Sequence, residues 1–178
     1  RFALVNHCDE EHWALPCAGA VSEAMILSTC NRVELLAAGT GDVSGQVLEC
    51  WARARGAKAD ELRPYVYIHQ NLEAVRHLFS VASSLDSMVL GEPQILGQLK
   101  NAYRKAVDSH ATGVILNRLL HKAFSVAKRV RTETAVASSA VSISYAAVEL
   151  AKRLVGDMHA HKALLVGAGE MAELAATH

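Results

Sequence analysis

The apolar residues of this chain fall into short runs and helical stripes that divide it into alternating segments. Ala24-Met25-Ile26-Leu27 is a continuous apolar run, and it predicts a buried strand over 24–28. Val33-Glu34-Leu35-Leu36-Ala37 predicts a second extended segment, and Gly39-Thr40-Gly41-Asp42 a turn. From Val43 to Ala57, Val47, Leu48 and Trp51 share one face of an amphipathic helix that Gly56 or its neighbours end. Tyr65-Val66-Tyr67-Ile68 predicts another strand, set off by Pro64. Asn71 then predicts an N-cap with Glu73 in the first turn of a helix whose stripe is Val75, Leu78, Phe79 and Ala82. Small and polar residues over 83–87 interrupt that pattern. Gly91 closes one element and Pro93 opens the next, with Ile95, Leu99, Ala102, Tyr103 and Ala106 at helical spacing. A further helix is predicted over 114–131, with Leu116, Leu119, Leu120, Ala123, Phe124 and Ala127 apolar. Over 138–155 a strand-like alternation competes with a helical run, and the stop at Gly156 favours a helix that joins two domains. Lys162-Ala163-Leu164-Leu165-Val166 predicts a final buried strand. The first twenty residues are weakly patterned, with Asp9, Glu10 and Glu11 suited to the start of a short helix.

Composition narrows the classes. Of 178 residues, 51% are hydrophobic and 20% charged, which is a globular and not a disordered composition. Eighteen basic residues balance eighteen acidic ones, so no global field draws in nucleic acid and any such contact must be local. Lys122, Lys128, Arg129 and Arg131 form the most basic stretch; a solvated face and a contact with RNA phosphates both fit it. No apolar run reaches the ~18 residues of a membrane span. The chain opens on Arg1, and the natural N-terminus is expected to lie upstream. Cys8, Cys17, Cys30 and Cys50 form no paired or zinc-like spacing, and His7, Cys8 and His12 lack a distal pair, so reduced cytosolic thiols and no metal are expected.

Two stretches carry chemistry. The first is Ser28-Thr29-Cys30-Asn31-Arg32-Val33-Glu34, directly after the first strand. A thiolate is a nucleophile favoured by neighbouring positive charge, and Arg32 offers a planar fork of donors for a carboxylate. Cys30 fits equally a small core residue. His77, beside an apolar stripe, fits a packed histidine. Glu92, Gln94 and Gln98 converge at a helix start, which suits a polar substrate or an ordinary solvated first turn. The second stretch is Gly167-Ala168-Gly169-Glu170-Met171-Ala172, a G-x-G-x-x-A pattern after a predicted strand, where glycines let a pyrophosphate approach a helix start. The ribose-reading residue ~20 positions on lies beyond His178, so NAD and NADP are not separated by these residues.

These motifs together resemble the glutamyl-tRNA reductases. The resemblance rests on the segments 27–34, 82–98 and 124–134 and on the terminal glycine motif, in the family's order. It implies that Cys30 attacks the ester carbonyl of glutamyl-tRNA(Glu) and that NADPH then reduces the thioester to glutamate-1-semialdehyde, the first step of five-carbon tetrapyrrole (porphyrin) synthesis. It implies catalytic roles for Cys30 and His77. Thr29, Cys30, Asn31, Arg32, Ser87, Glu92, Pro93, Gln94 and Gln98 then bind substrate, and Gly167, Ala168, Gly169, Glu170, Met171 and Ala172 hold the nucleotide. The fold it implies is an α/β one: an α+β catalytic domain with a small sheet over 1–135, lacking the family's N-terminal strand, a connecting helix over 136–158, and the first strand of a truncated Rossmann-type NADP-binding domain over 159–178. A cytoplasmic homodimer of the full-length protein is implied, with the aminomutase that acts on glutamate-1-semialdehyde as a partner and no membrane. Two alternatives remain beside it: another thioester-forming NAD(P)-dependent acyl reductase or aldehyde dehydrogenase, and a non-enzymatic binding module with a buried cysteine.

Overall fold

The computed structural model describes residues 19–29, 31–87, 90–136, 143–157, 160–167 and 169–177. Two strands, β1 (Val21–Ser28) and β2 (Val33–Gly39), pair antiparallel, with Leu27 opposite Glu34 and Met25 opposite Leu36. Burial on β1 alternates: Glu23, Met25 and Leu27 face inward, as the period of two in a strand requires. The helices that follow are α1 (Ser44–Ala54), the short α2 (Ala59–Leu62) leading into a 3₁₀ turn over Arg63–Tyr65, α3 (Asn71–Ala82), α4 (Gln94–Asp108), α5 (Val114–Glu133), α6 (Ile143–Val155) and α7 (Glu170–Thr177).

The main core lies between the inward face of β1 and three helices. Met25 and Leu27 meet Leu78, Val81 and Ala82 of α3, Ile95, Leu99, Ala102 and Ala106 of α4, and Leu116, Leu120, Ala123 and Ala127 of α5. The α4 and α5 positions recur every three or four residues, the spacing of a single helix face. Alanines on both helices let the backbones approach, while the fully buried Leu99, Leu116 and Leu120 each contribute about 1.5–3 kcal/mol. A smaller cluster of Leu48, Ala52 and Leu62 ties α1 to α2.

Glu23 sits in the inward row of β1, where an apolar residue is the norm. Its carboxylate accepts the Gly113 N–H (2.8 Å), the Ile115 N–H (3.0 Å) and the Leu116 N–H (2.7 Å) at the start of α5. A strand residue thus caps a helix ninety residues later in the chain. Burial pushes the Glu23 carboxyl up, but the three backbone donors outweigh it and hold the group below the usual glutamate value.

Three local expectations give way. Over 65–68 there is no strand: Pro64 lies in the 3₁₀ turn, and no strand among the described residues lies beside the segment to pair with it. Asn71 is not an N-cap but the first residue of α3, with φ +51; asparagine tolerates this left-handed conformation, and Gln70 holds the extended cap position. Residues 162–166 form no strand, and Leu164 and Val166 are about nine-tenths exposed (88% and 90%). A strand needs a neighbour to satisfy its backbone, and among the described residues that segment has none. The helices predicted over 43–57, 114–131 and 138–155 appear as α1, α5 and α6, and Gly56 at φ +65 closes α1. The stretch around His7, Cys8, Asp9 and His12 lies outside the described residues.

Candidate active site

The hairpin turn that carries position 30 is built by Thr29. Its N–H donates to the Arg32 carbonyl (2.8 Å), and its Oγ1 accepts the N–H groups of Asn31 (3.2 Å) and Arg32 (3.1 Å). A short hydroxyl side chain that satisfies backbone donors two and three residues on fixes a tight turn between two paired strands. Thr29 therefore shapes the loop. Cys30 itself lies outside the described residues.

Arg32, directly before β2, and Glu34 on β2 come together on one side of the hairpin. Arg32 Nη1 is 2.8 Å from Glu34 Oε1 and 3.4 Å from Asp86 Oδ2, and its Nη2 donates to the Asp86 carbonyl. His77, on α3, places Nε2 3.0 Å from Glu34 Oε1 and Nδ1 3.5 Å from Asp86 Oδ2. The Tyr67 hydroxyl donates to the same Glu34 oxygen at 2.6 Å. One carboxylate oxygen thus collects an arginine, a histidine and a tyrosine. Arg32, Glu34 and His77 are largely buried, which strengthens these contacts relative to the same pairs in water. The Tyr67 ring is largely exposed, but partial burial of its hydroxyl end against Glu34 pushes the phenol above its ordinary range, and the hydrogen bond and charge of Glu34 push the same way. His69 completes the group, its ring 4.8 Å from His77 and 5.3 Å from Tyr67.

Glu34, Tyr67, His69 and His77 line a cavity of about 770 Å³ whose other walls include β2, Val47 and Trp51 of α1, and Leu119 of α5. Across the hairpin, the 83–93 loop is closed on itself. Ser84, at φ +59, donates its hydroxyl to the Glu92 carbonyl (2.6 Å), and the Gly91 N–H donates to Ser84 O (2.9 Å). Arg131 Nη1 holds the Gly91 carbonyl at 3.2 Å.

The predicted residues divide accordingly. Arg32 and His77 are brought together through Glu34 and Asp86. Asn31 is exposed at the turn. Ser87, beside Asp86, is half-buried, as are Glu92, Gln94 and Gln98, while Pro93 is exposed at the cap of α4. The ion pairs around Glu34 do not extend to Gln98. Four residues of the cluster are not anticipated as site residues by sequence: Tyr67, expected in a strand; His69, just after that segment; Glu34, which ends the cysteine stretch without a role assigned to it; and Asp86, which falls in a polar interruption. The available signal is weak: Asp86 follows the buried Ser83 and Ser84 in the break between α3 and α4, but its own side chain is about half exposed, so burial does not mark it as a charge that needs a partner.

In the C-terminal segment, Gly167 has φ +123, and a Cβ built on Gly167 or Gly169 would meet nothing within 4 Å. Open glycine backbone directly before α7 fits the approach of a dinucleotide phosphate to a helix start. Ala172 lies in the first turn of α7, as do Glu170 and Met171; Ala168 lies outside the described residues. Among the described residues no group of His, Cys, Asp and Glu side chains is arranged to hold a metal ion, and no helix is long and apolar enough to cross a membrane.

The family model of the glutamyl-tRNAGlu reductase N-terminal domain matches residues 4–134. The chain belongs to this family. It is similar along its whole length to the glutamyl-tRNA reductase of Desulfovibrio desulfuricans, at 85% identity over 178 residues, covering 41% of that protein. The glutamyl-tRNA reductase of Nitratidesulfovibrio vulgaris (strain Miyazaki F) is 69% identical over 179 residues, with all of this chain and 40% of that protein covered. Among solved structures, the glutamyl-tRNA reductase from Methanopyrus kandleri is similar with a TM-score of 0.59 and 40% identity, over 88% of this chain and 36% of that one. The chain therefore spans about two fifths of the length of the curated glutamyl-tRNA reductases it matches. The mixed α/β architecture, a small sheet with helices packed on it, agrees with the fold expected for this family.

Proposed function

We propose that this chain is the substrate-activating part of an NADPH-dependent glutamyl-tRNA reductase, acting in the cytoplasm in tetrapyrrole synthesis. In this reading residues 1–135 are the catalytic domain, 136–158 a connecting helix and 159–178 the start of a Rossmann-type nucleotide-binding domain. The observation that carries it is the joining of Arg32 and His77 on one carboxylate, Glu34, at the mouth of the turn that contains position 30.

The Cys30 thiolate attacks the ester carbonyl of glutamyl-tRNA. A carbon–sulfur bond forms, the carbon–oxygen bond to the ribose breaks, and the tRNA hydroxyl leaves with a proton. His77 serves that proton transfer or tunes the thiol. Arg32 receives the glutamate side-chain carboxylate. Its Nη1 already faces Glu34 and Asp86 and its Nη2 donates to the Asp86 carbonyl, so Nε–H and the second hydrogen of Nη2 are the donors left for substrate. Thr29 and Asn31 shape the pocket, with Ser87, Glu92, Pro93, Gln94 and Gln98 on its far side. Gly167 to Ala172 would hold the phosphates of NADPH, which would supply a hydride to the thioester carbonyl carbon; breaking of the carbon–sulfur bond would return the Cys30 thiolate and leave glutamate-1-semialdehyde. The full-length enzyme is a homodimer that hands this product to the aminomutase acting on it.

The test uses this chain with glutamyl-tRNA and mass spectrometry of the quenched reaction, after circular dichroism has shown a folded protein. A glutamyl adduct on the Cys30 peptide and slow ester hydrolysis are expected, with no semialdehyde when NADPH is added, because hydride transfer needs a complete cofactor domain. Equal hydrolysis by Cys30→Ala with no adduct would overturn the reading.

A further inference from the structure

Charge is segregated in this molecule although its total is zero. Helices α4 and α5 carry eight of the eighteen lysines and arginines but only two carboxylates, Asp108 and Glu133. Glu133 is taken up by Arg129 (3.0 Å). Core positions on α5 are Leu116, Leu120, Ala123 and Ala127, so Arg118, Lys122 and Arg129, each two residues past one of them, project from the opposite side. All three are exposed, as are Lys100 and Arg104 one turn apart on α4. Among the described residues Arg118, Lys122 and Lys128 pair with no carboxylate.

Aromatic groups join the two helices beneath these cations. The Tyr103 hydroxyl donates to Asn117 Oδ1 (3.1 Å) and lies 3.3 Å from His121 Nε2, the Tyr103 and Phe124 rings are 5.8 Å apart, and Lys100 Nζ lies 5.9 Å over the Phe124 ring. The cations are thereby mounted on a rigid two-helix face. One end of that face abuts the candidate active site, because Arg131 binds the carbonyl of Gly91 in the loop that also carries Asp86. From Arg131 to Arg118 the strip runs about 20 Å along α5.

We propose that the outer face of α4 and α5 binds the phosphate backbone of the RNA whose aminoacyl end enters the Cys30 site. The proposal rests on the functional reading above. A polyanion laid along this strip releases counterions at each phosphate it neutralises, and its end then points toward the turn at position 30. A solvated face would need no such imbalance, since mixed charges serve solubility equally well.

The test is fluorescence anisotropy of this chain with a labelled, unmodified tRNA(Glu) transcript across a salt titration. The variant Lys100→Gln/Arg118→Gln/Lys122→Gln is expected to bind at least about tenfold more weakly at low salt. Its slope of log affinity against log salt should be smaller by about 2 to 3, close to one unit for each phosphate that the variant no longer neutralises. The charge-conserving variant Lys100→Arg/Arg118→Lys/Lys122→Arg should bind like the parent. Removing equal charge elsewhere, with Arg53→Gln/Arg55→Gln/Lys58→Gln, should leave both quantities unchanged. Unaltered binding by the first variant overturns the proposal, as does equal weakening by the last. Binding to phosphatidylserine vesicles with none to the transcript also overturns it. Acylation of Cys30 by a small glutamyl thioester without RNA separates the two ideas. If that acylation fails while the strip still governs transcript binding, the thiol chemistry falls and the RNA surface stands; normal acylation in every variant with unaltered transcript binding has the opposite meaning.

Discussion

Glu34 Oε1 lies 3.0 Å from His77 Nε2, although forty-three residues separate the two in sequence. The same oxygen is 2.8 Å from Arg32 Nη1, so a residue of β2 fixes both a cation beside the hairpin turn and a histidine of α3. Glu34→Gln keeps the shape but removes the charge. The variant should lose about 1.5–3 kcal/mol of stability in urea unfolding, the range for hydrogen bonds to a charged group. Acylation of Cys30 by glutamyl-tRNA should fall by an order of magnitude or more, since small misplacements are costly in rate. An unchanged acylation rate would show that Glu34 only supports the fold.

Arg32→Lys should raise the Michaelis constant for glutamyl-tRNA more than it lowers turnover. A lysine can satisfy Glu34 or Asp86 but cannot also present a planar fork to a second carboxylate. Steady-state kinetics of the full-length enzyme measure this split, and an unchanged Michaelis constant would remove Arg32 as the carboxylate clamp.

Acid should weaken the hairpin–helix junction through Glu23. Its folded-state carboxyl is held below the unfolded glutamate value of about 4.3. The contribution is therefore complete above that value and is lost as pH falls through the lower folded value. Glu23→Gln should cost about 1–3 kcal/mol at neutral pH and flatten the acid limb of a stability–pH curve. Denaturant midpoints of both proteins between pH 7 and pH 3 measure the difference, and parallel curves would contradict the assignment.

Gly91→Ala should destabilise the 83–93 loop. Gly91 has φ +80, and a Cβ there would collide with the Val136 carbonyl. Strain of about 1–2 kcal/mol from the left-handed backbone is joined by that clash. A fall of several degrees in the melting temperature is expected, together with slower Cys30 acylation, because Asp86 moves with this loop; a melting temperature within a degree of the parent would refute it.

The buried core is tested by Leu120→Ala. This side chain is fully enclosed between α5, α4 and β1. Its truncation should cost about 2–5 kcal/mol, and a loss under 1 kcal/mol in urea unfolding would show that the site collapses around the cavity.

Local pattern determined much of this protein. The stripes at Leu116, Leu120, Ala123 and Ala127 and at Ile95, Leu99, Ala102 and Ala106 place α5 and α4, because a helix face is written in every third or fourth residue. The run before Cys30 likewise marks β1, and the motifs around Arg32 and 83–98 point to a family that the match over residues 4–134 bears out. Strand formation over 65–68 and 162–166 was not determined locally, since a strand exists only where a second backbone lies alongside it. Tertiary structure alone decided the partnerships of single charges. Glu23 reads as an ordinary surface acid until α5 arrives above it with three unpaired N–H groups, and Asp86 as part of a polar interruption until Arg32 and His77 close on it. Electrostatic partners are fixed by distance in space and carry no periodicity along the chain, whereas burial of apolar faces does.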